Sequence, residues 1–375
     1  MLTRDWLNPT VSGGGILSSD YARYLAGRGH TVTILASTHS NLPREQVIEG
    51  TKIIRLGRPT SLWYKAFFYY MLHCRGKYDI VIEEAFGGSR IPMAAPLYVR
   101  APMIVEWHHI YKGMLKYMFP KLLVYPAEWL ERLMVFVHRN CFIRAGTEEV
   151  KDDFIKFGFK KEKTFVVPVD LREDWFDSPK PVADRTHQII WLGVFQRWKC
   201  PDHVTRAFQY VLKSMPDARL ILAGKQHDLQ FIQELKDSVQ SLGIAHAVDF
   251  RFNISEEEKR QLFEQSRSLI MSSPVEGFGI VALEAGACGT PVIASSGVPE
   301  SVVKHGYNGL RYQFSNVTEL SERICTILND EILHDRLAEN NRTFARRFTW
   351  SHVGAQFEEA LEMILNSAAK TARRK

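Results

Sequence analysis

Two glutamates separated by seven residues, Glu276 and Glu284, stand in the run RSLIMSSPVEGFGIVALEAGACGTPVIASS, residues 267–296. An ionised carboxylate accepts hydrogen bonds and does not donate them, so such a pair suits a ligand that offers several hydroxyls. The surrounding residues decide how the pair is presented. SLIMSS is a short apolar run of the kind a buried parallel strand shows, and Pro274 ends it because proline cannot donate to a ladder. Gly277 and Gly279 permit a tight turn and close approach of the backbone to a ligand. A helical reading from Ile280 to Cys288 puts Ile280, Glu284 and Cys288 on one face, so Glu284 lies one turn into a helix and Glu276 in the loop before it. The first amides of that helix, at Phe278, Gly279 and Ile280, lack intrahelical partners. With the helix dipole they form a site for an anion or for sugar hydroxyls. A nucleotide sugar carries both kinds of group.

The stretch EGFGIVALEAGACGTPVIAS resembles the E-x7-E signature of the retaining glycosyltransferases of family 4, also called glycosyl transferase group 1. Those proteins have the α/β GT-B fold, two facing Rossmann-like domains with parallel sheets and a cleft between them. The resemblance implies that Glu276 contacts the transferring sugar and that Glu284 holds the nucleotide ribose. After the strand QIIWLGV, family members carry Gly-Arg and, a few residues on, a Lys, both cations gripping the donor diphosphate. Gly193 and Lys199 match that pattern, Val194 stands where the Arg is usual, and Arg197 is the nearest replacement. Fixed cations suit this place because a leaving diphosphate develops charge in the transition state. ILAGKQHD, residues 221–228, and DFRFNISEEEKRQLFEQS, residues 249–266, resemble the segments that follow and line the base pocket.

The first half contributes its own candidates. The strand MIVEW is followed by His108 and His109, and ligands of open α/β sheets bind beyond the carboxyl ends of strands. A neutral imidazole can accept or relay a proton near neutral pH. By distance from the strand, the family resemblance selects His108 as the residue near the reacting hydroxyls, with His109 as the alternative. Residues 8–30 read as a glycine-rich loop and a helix, and Gly13, Gly14 and Gly15 let backbone amides approach a phosphate. Through GRGHTVTILAS this stretch resembles the opening of the family fold. Only Met1 to Thr3 precede it as a first strand.

These residues need a frame of alternating strands and helices. TVTILAS, KIIRL, DIVIEE, MIVEW, CFIRAG and FVVPV form one set of short apolar runs, and QIIWLGV, RLILAG, VDFRF, SLIMSS and PVIASS form another. Two sets with helical patterns between them imply two parallel sheets covered on both faces. The expected organisation is an acceptor domain over 1–170, a linker over 171–187 where prolines and charges interrupt the periodicity, and a donor domain over 188–350. A helix follows over 351–368, with apolar residues at Val353, Phe357, Ala360, Leu361, Ile364 and Leu365. The family resemblance has it return to the first domain, whereas the stripe alone equally allows packing on its own domain. Residues 369–375 read as a basic tail.

Composition bounds the rest. At 375 residues, 45% hydrophobic and 24% charged, the chain is globular and sized for two domains. Five scattered cysteines, with no C-x2-C pair, point away from a disulfide framework and from a structural zinc site, toward a reducing cytoplasm. No stretch is apolar enough for a signal peptide or a membrane span. Residues 1–180 hold 25 Lys and Arg against 19 Asp and Glu, while residues 181–375 hold 23 of each. That asymmetry suits an anionic membrane surface or a polyanion beside the first half. Segments 62–73 and 111–140 interleave aromatics and methionine with Lys and Arg. They read either as interfacial surface or as core helices with basic outer faces.

The expectation is a retaining transferase that moves a sugar from a nucleotide-diphosphate sugar to a sugar or lipid-linked acceptor. No separate cofactor, no metal and no nucleic-acid partner are expected, and a peripheral position at the inner membrane face fits the basic first half. A GT-B-type epimerase or phosphorylase, or a non-catalytic nucleotide-sugar-binding protein, are the alternatives. Donor turnover without an acceptor marks the first, and binding without turnover the second.

Overall fold

The computed structural model describes residues 1, 13–38, 42–58, 60–84, 94–111, 114–177 and 185–373. The chain divides into two compact units. Met1–Lys112, Tyr125–Asp170 and Trp350–Lys375 form the first, and Gly113–Val124 with Leu171–Thr349 form the second.

The second unit is a six-stranded sheet built from β8 (Gln188–Phe195), β9 (Arg219–Gln226), β10 (Val248–Phe252), β11 (Ser268–Met271), β12 (Val292–Ser295) and β13 (Gly309–Tyr312). Its order is β10-β9-β8-β11-β12-β13, and every pairing is parallel. This is the doubly wound order in which the chain reverses direction across the sheet between β8 and β11, and ligands of such sheets bind at that switch. The helices between the strands follow the apolar spacing. In α6 (Pro201–Ser214), Val204, Ala207, Phe208 and Val211 are fully buried at i, i+3, i+4, i+7. Side chains close the exposed helix starts: Asp228 caps α7 (Leu229–Ser241), Ser255 caps α8 (Glu256–Gln265), Asn316 caps α10 (Val317–Asn329) and Asp330 caps α11 (Glu331–Ala345). The short α9 (Ile280–Ala287) is nearly all buried and starts at Gly279 with a positive φ of 89°. A side chain there would put Cβ 2.6 Å from Met271 Cε.

In the first unit, α1 (Gly13–Gly27) precedes β1 (Thr33–Ala36), β2 (Glu45–Ile48) and β3 (Thr51–Arg55), which pair in the order β1-β3-β2 with β2 antiparallel. Then β4 (Val81–Glu84), β5 (Met103–Glu106), β6 (Phe142–Ala145) and β7 (Thr164–Val166) pair in sequence, all parallel. Met1 lies beside β1, its carbonyl accepting the Leu35 amide at 2.8 Å; Leu2 and Thr3, the rest of the expected first strand, lie outside the described residues. The glycines read as a loop, Gly13 to Gly15, form the first turn of α1.

The last helix, α12 (Trp350–Arg373), belongs to the first unit and runs past residue 368, where a tail was expected. AAKTAR has no proline or glycine to stop it. Val353, Phe357 and Ile364 are fully buried, and Phe357 stacks on Tyr21 of α1 at 4.2 Å. Gly354 makes this possible, since a Cβ there would sit 2.4 Å from the Tyr24 ring. Leu365, expected on the docking stripe, is 39% exposed.

The remaining helices of this unit are α2 (Leu62–Tyr69), which continues as a π-helical turn over Tyr70–Cys74, and α5 (Glu148–Phe157). Segment 111–140 forms the short α3 (Leu115–Met118), which belongs to the second unit, and the long α4 (Lys121–His138), which belongs to the first from Tyr125 on. A narrow stripe of α4 is buried, at Glu131, Met134, Val135 and His138, while Tyr125, Trp129 and Phe136 face outward.

Candidate active site

The switch between β8 and β11 brings together the loops that carry the second unit's candidates. Gly193 pairs with Gly224 of β9, whose φ of 139° would drive a Cβ to 1.7 Å from the Gly193 carbonyl. Only glycine therefore fits opposite Gly193. Beyond β8 a single turn of 3-10 helix, Arg197–Lys199, ends at Cys200, a residue with positive φ that opens α6. Beyond β11 comes the loop that holds Glu276.

A hydrogen-bond chain fixes these loops against each other. Trp191 Nε1 donates to Ser272 Oγ at 3.0 Å, and Ser272 Oγ donates to the Lys199 carbonyl at 2.7 Å. The Glu276 amide donates to the Gly297 carbonyl at 2.9 Å, tying in the loop after β12. Lys199 Nζ then binds Glu276 Oε1, which also accepts from Ser273 Oγ at 2.9 Å. Lys199 and Glu276, 77 residues apart, thus form one partly buried ion pair.

Glu284 is buried one turn into α9. Its Oε1 accepts from Lys259 Nζ of α8 at 2.8 Å, and Lys259 also reaches Glu256 at 2.8 Å and lies 4.9 Å over the Trp175 ring. Burial raises the Glu284 carboxyl above the usual range, against the pull of Lys259. Burial lowers the Lys259 ammonium too, but Glu284 and Glu256 outweigh it and the net shift is upward. Glu284 Oε2 has no hydrogen-bond partner among the described residues, although it is buried. A buried charged acceptor without a donor is costly, and a ligand hydroxyl would satisfy it. Lys259, the partner of Glu284, was not found by sequence reading; its segment resembled the base-pocket lining, but nothing in it singled out the lysine.

Phe278, Gly279 and Ile280 precede or open α9, with the Phe278 ring edge-on to Phe348 at 5.6 Å. Arg197 is placed differently from Lys199. Its guanidinium binds Glu234 of α7 at 2.8 Å and lies 5.0 Å over the Phe231 ring. Cys200, Asp202 and His203 have ligand-type atoms within 4.8 Å of one another, the one such group of three among the described residues. Asp202 is engaged by Arg206 at 3.0 Å, and Cys200 Sγ donates to the Arg197 and Trp198 carbonyls.

In the first unit, His108 and His109 follow β5 directly. His108 Nε2 is 3.6 Å from Glu84 Oε1 at the end of the adjacent β4, and His109 lies 4.4 Å from the Tyr111 ring. The strand ends below them are unusually charged. Glu83 is fully buried, accepts from the Ala95 amide at 3.4 Å and lies 3.2 Å from His138 Nε2; Arg144 donates to Glu106 at 2.8 Å. These buried groups are paired, which is the condition for tolerating them.

The sequence matches two family models in succession, Glycosyltransferase Family 4 over residues 11–169 and Glycosyl transferases group 1 over residues 173–344. It is 22% identical to the uncharacterized glycosyltransferase MJ1607 of Methanocaldococcus jannaschii, over 97% of this chain and 98% of that one. Among solved structures, sucrose-phosphate synthase from Thermosynechococcus elongatus aligns with a TM-score of 0.81 at 19% identity, covering 98% of both chains. HepE of Anabaena in complex with UDP-glucose aligns with a TM-score of 0.76 at 19% identity, covering 96% of this chain and 99% of that one. Two Rossmann-like units, the two family models and these GT-B neighbours agree: the chain belongs to the family 4, group 1 glycosyltransferases and is a glycosyltransferase of the GT-B fold.

Proposed function

We propose that this glycosyltransferase retains anomeric configuration, works without a metal ion, and moves a sugar from a nucleotide-diphosphate sugar held by the second unit. Its acceptor is the hydroxyl of a lipid-linked or membrane-proximal saccharide, in polysaccharide or glycolipid assembly, with the protein peripheral at the cytoplasmic membrane face. The observation that carries the donor part is the unsatisfied Oε2 of buried Glu284, one helical turn beyond the loop that holds Glu276 against Lys199. A ribose hydroxyl would donate to that oxygen. The sugar hydroxyls would donate to the Glu276 carboxylate, and the diphosphate would draw Lys199 and the amides of Phe278, Gly279 and Ile280.

In this reading the acceptor hydroxyl attacks the anomeric carbon from the face the diphosphate leaves. The new bond joins the acceptor oxygen to that carbon as the bond to phosphate oxygen breaks, and the acceptor's proton passes to the departing phosphate oxygen. Lys199 and the α9 amides stabilise the charge on the leaving group. Arg197 adds to this only by exchanging Glu234 for phosphate. His108, with Glu84 beside it, serves the acceptor hydroxyl. Gly193 keeps the end of β8 open to the ligand, and Gly13 to Gly15 start a helix whose amides suit a second anionic group.

The test is a panel of UDP-, GDP-, ADP- and CMP-linked sugars, UDP-glucose among them, read by thermal shift and by nucleotide release with and without a membrane lipid extract. Lipid-dependent release of one nucleotide, undiminished by EDTA and giving a product of retained configuration, is expected. Glu276→Ala should lower that release about 10²–10³-fold. Unchanged turnover in that variant would remove Glu276 from the mechanism, and binding with no release under any acceptor would make the protein a nucleotide-sugar binder.

A further inference from the structure

The first unit has a second feature that the donor chemistry leaves unused. Helices α2, α4 and α5 cover one face of its sheets: Leu62, Ala66 and Tyr70 of the first segment, Met134 and Val135 of the second, and Val150 and Phe154 of the third share one core cluster with Val81, Met103, Val105 and Ile143. With that much apolar surface inward, the outward faces should be polar. They are not. Phe68 and Leu72 are 59% and 75% exposed, Tyr125, Trp129 and Phe136 are 80%, 65% and 58% exposed, and Trp63 is nearly half exposed. Six such side chains, spread over two helices, together leave on the order of 700 Å² of aromatic and aliphatic surface in water.

The exposed charges on α2 with its turn and on α4 are cationic, while the neighbouring α5 carries exposed Glu148, Asp152 and Asp153. Residues 62–77 contain no Asp or Glu, and Lys65, Arg75 and Lys77 are exposed. On α4, Arg132 and Arg139 are exposed, whereas Glu131 is buried and accepts from the Tyr111 amide at 2.6 Å, and Glu128 is half-buried. Arg139 lies over the Phe136 ring at 4.0 Å, a cation set directly on an exposed aromatic. Among the described residues no helix is long and apolar enough to cross a membrane. Aromatics outward with cations beside them on α2 and α4 describe a surface that lies in a bilayer interface.

We infer that the outward faces of α2 with its π-helical turn and of α4 dock this glycosyltransferase on the surface of an anionic lipid bilayer. Apolar rings enter the headgroup boundary while Lys65, Arg75, Arg132 and Arg139 meet lipid phosphates. This deepens the acceptor part of the functional proposal and rests on it for what docking accomplishes, namely bringing the enzyme to an acceptor that stays in the membrane. The binding itself can be measured without any acceptor.

The experiment is co-sedimentation of the full-length protein with vesicles of phosphatidylcholine alone or mixed with phosphatidylglycerol, at low and high salt. The double variants W129E/F136E and F68E/L72E run in parallel. Binding to the anionic vesicles, weakened by salt and about tenfold lower in either variant, is expected. The nucleotide-sugar thermal shift and the melting temperature should stay as in the unmodified protein, because the substituted side chains are exposed. No binding to anionic vesicles at low salt, or binding indifferent to both variants, would overturn the inference. So would self-association in sedimentation velocity that the variants abolish, since the face would then belong to a second copy of the chain. A failed donor assay with intact vesicle binding would count against the functional proposal alone.

Discussion

At the scale of single residues, two carboxylates eight positions apart are held for opposite purposes. Glu276 already has a cation and a hydroxyl on one oxygen, and so has a defined direction in the absence of ligand. Glu284 has Lys259 on one oxygen and no hydrogen-bond partner among the described residues on the other. Removing its charge while keeping its shape tests what the bare oxygen is for. Glu284→Gln should weaken nucleotide-sugar binding about 10–100-fold, the value of one hydrogen bond to a charged group. It should also lower the melting temperature, because Lys259 keeps only the exposed Glu256. Donor titration by calorimetry checks the first and thermal unfolding the second; unchanged donor affinity with a lowered melting temperature would reduce Glu284 to a structural partner of Lys259. The position of Glu284 on a helix was legible from the spacing of Ile280, Glu284 and Cys288. Its partner was not, since Lys259 comes from another helix 25 residues upstream, and local periodicity carries no information about such pairings. Arg197 shows the same limit: its place after β8 was readable, and its attachment to Glu234 of α7 was not.

At the scale of elements, strands were the most legible part of the chain. Each of the eleven runs coincides with a strand; the central ones are apolar because both faces are covered, whereas edge strand β10, VDFRF, leaves Asp249 and Arg251 half in water. The two strands outside that set explain themselves. β2, EQVI, is antiparallel and lies at the edge of its sheet, half in water, and β13, GLRY, is four residues with a glycine and an arginine. Neither needs a continuous apolar run. The stripe on α12 was legible, while its seat on Tyr21 and Tyr24 of α1 depends on a contact more than 300 residues distant in sequence. The loops at the switch are set by close backbone approach, which gives the element-scale prediction. A Cβ at Gly297 would lie 2.2 Å from the Pro274 carbonyl, and the Gly297 carbonyl holds the Glu276 amide. Gly297→Ala should therefore destabilise the second unit by about 1–3 kcal/mol and misplace Glu276. The expected result is a lower melting temperature together with reduced turnover per folded molecule. Full activity in the folded fraction would show that the loop relaxes without moving Glu276.

For the molecule as a whole, the pH dependence of stability between about 5 and 8 falls on a few buried groups. Carboxyls held low by cations, such as Asp174 beside Arg172 and Glu358 beside Arg28, act below this range and lose their contribution only in acid. Asp170, the last residue of the first unit before Leu171, goes the other way. Burial and the nearby Asp20 push it up to about 7, against its own backbone hydrogen bond, Arg144 and the Trp350 side chain. From the unfolded value near 4 up to about 7, the native state keeps a proton that the unfolded chain has released, so stability from this group falls as pH rises. By pH 8 the loss is complete, at most about 4 kcal/mol. His203 and His334, both held low by burial, oppose this below about pH 6.5, because the unfolded chain binds their protons first. A single variant separates the contributions. Asp170→Asn should stabilise the protein by up to about 4 kcal/mol at pH 8 but only about 1.5 kcal/mol at pH 5, flattening the decline between them, as measured by urea unfolding across that range. An Asn variant that follows the same pH profile as the unmodified protein would show that Asp170 is ionised in the folded state throughout, with Arg144 as its effective partner.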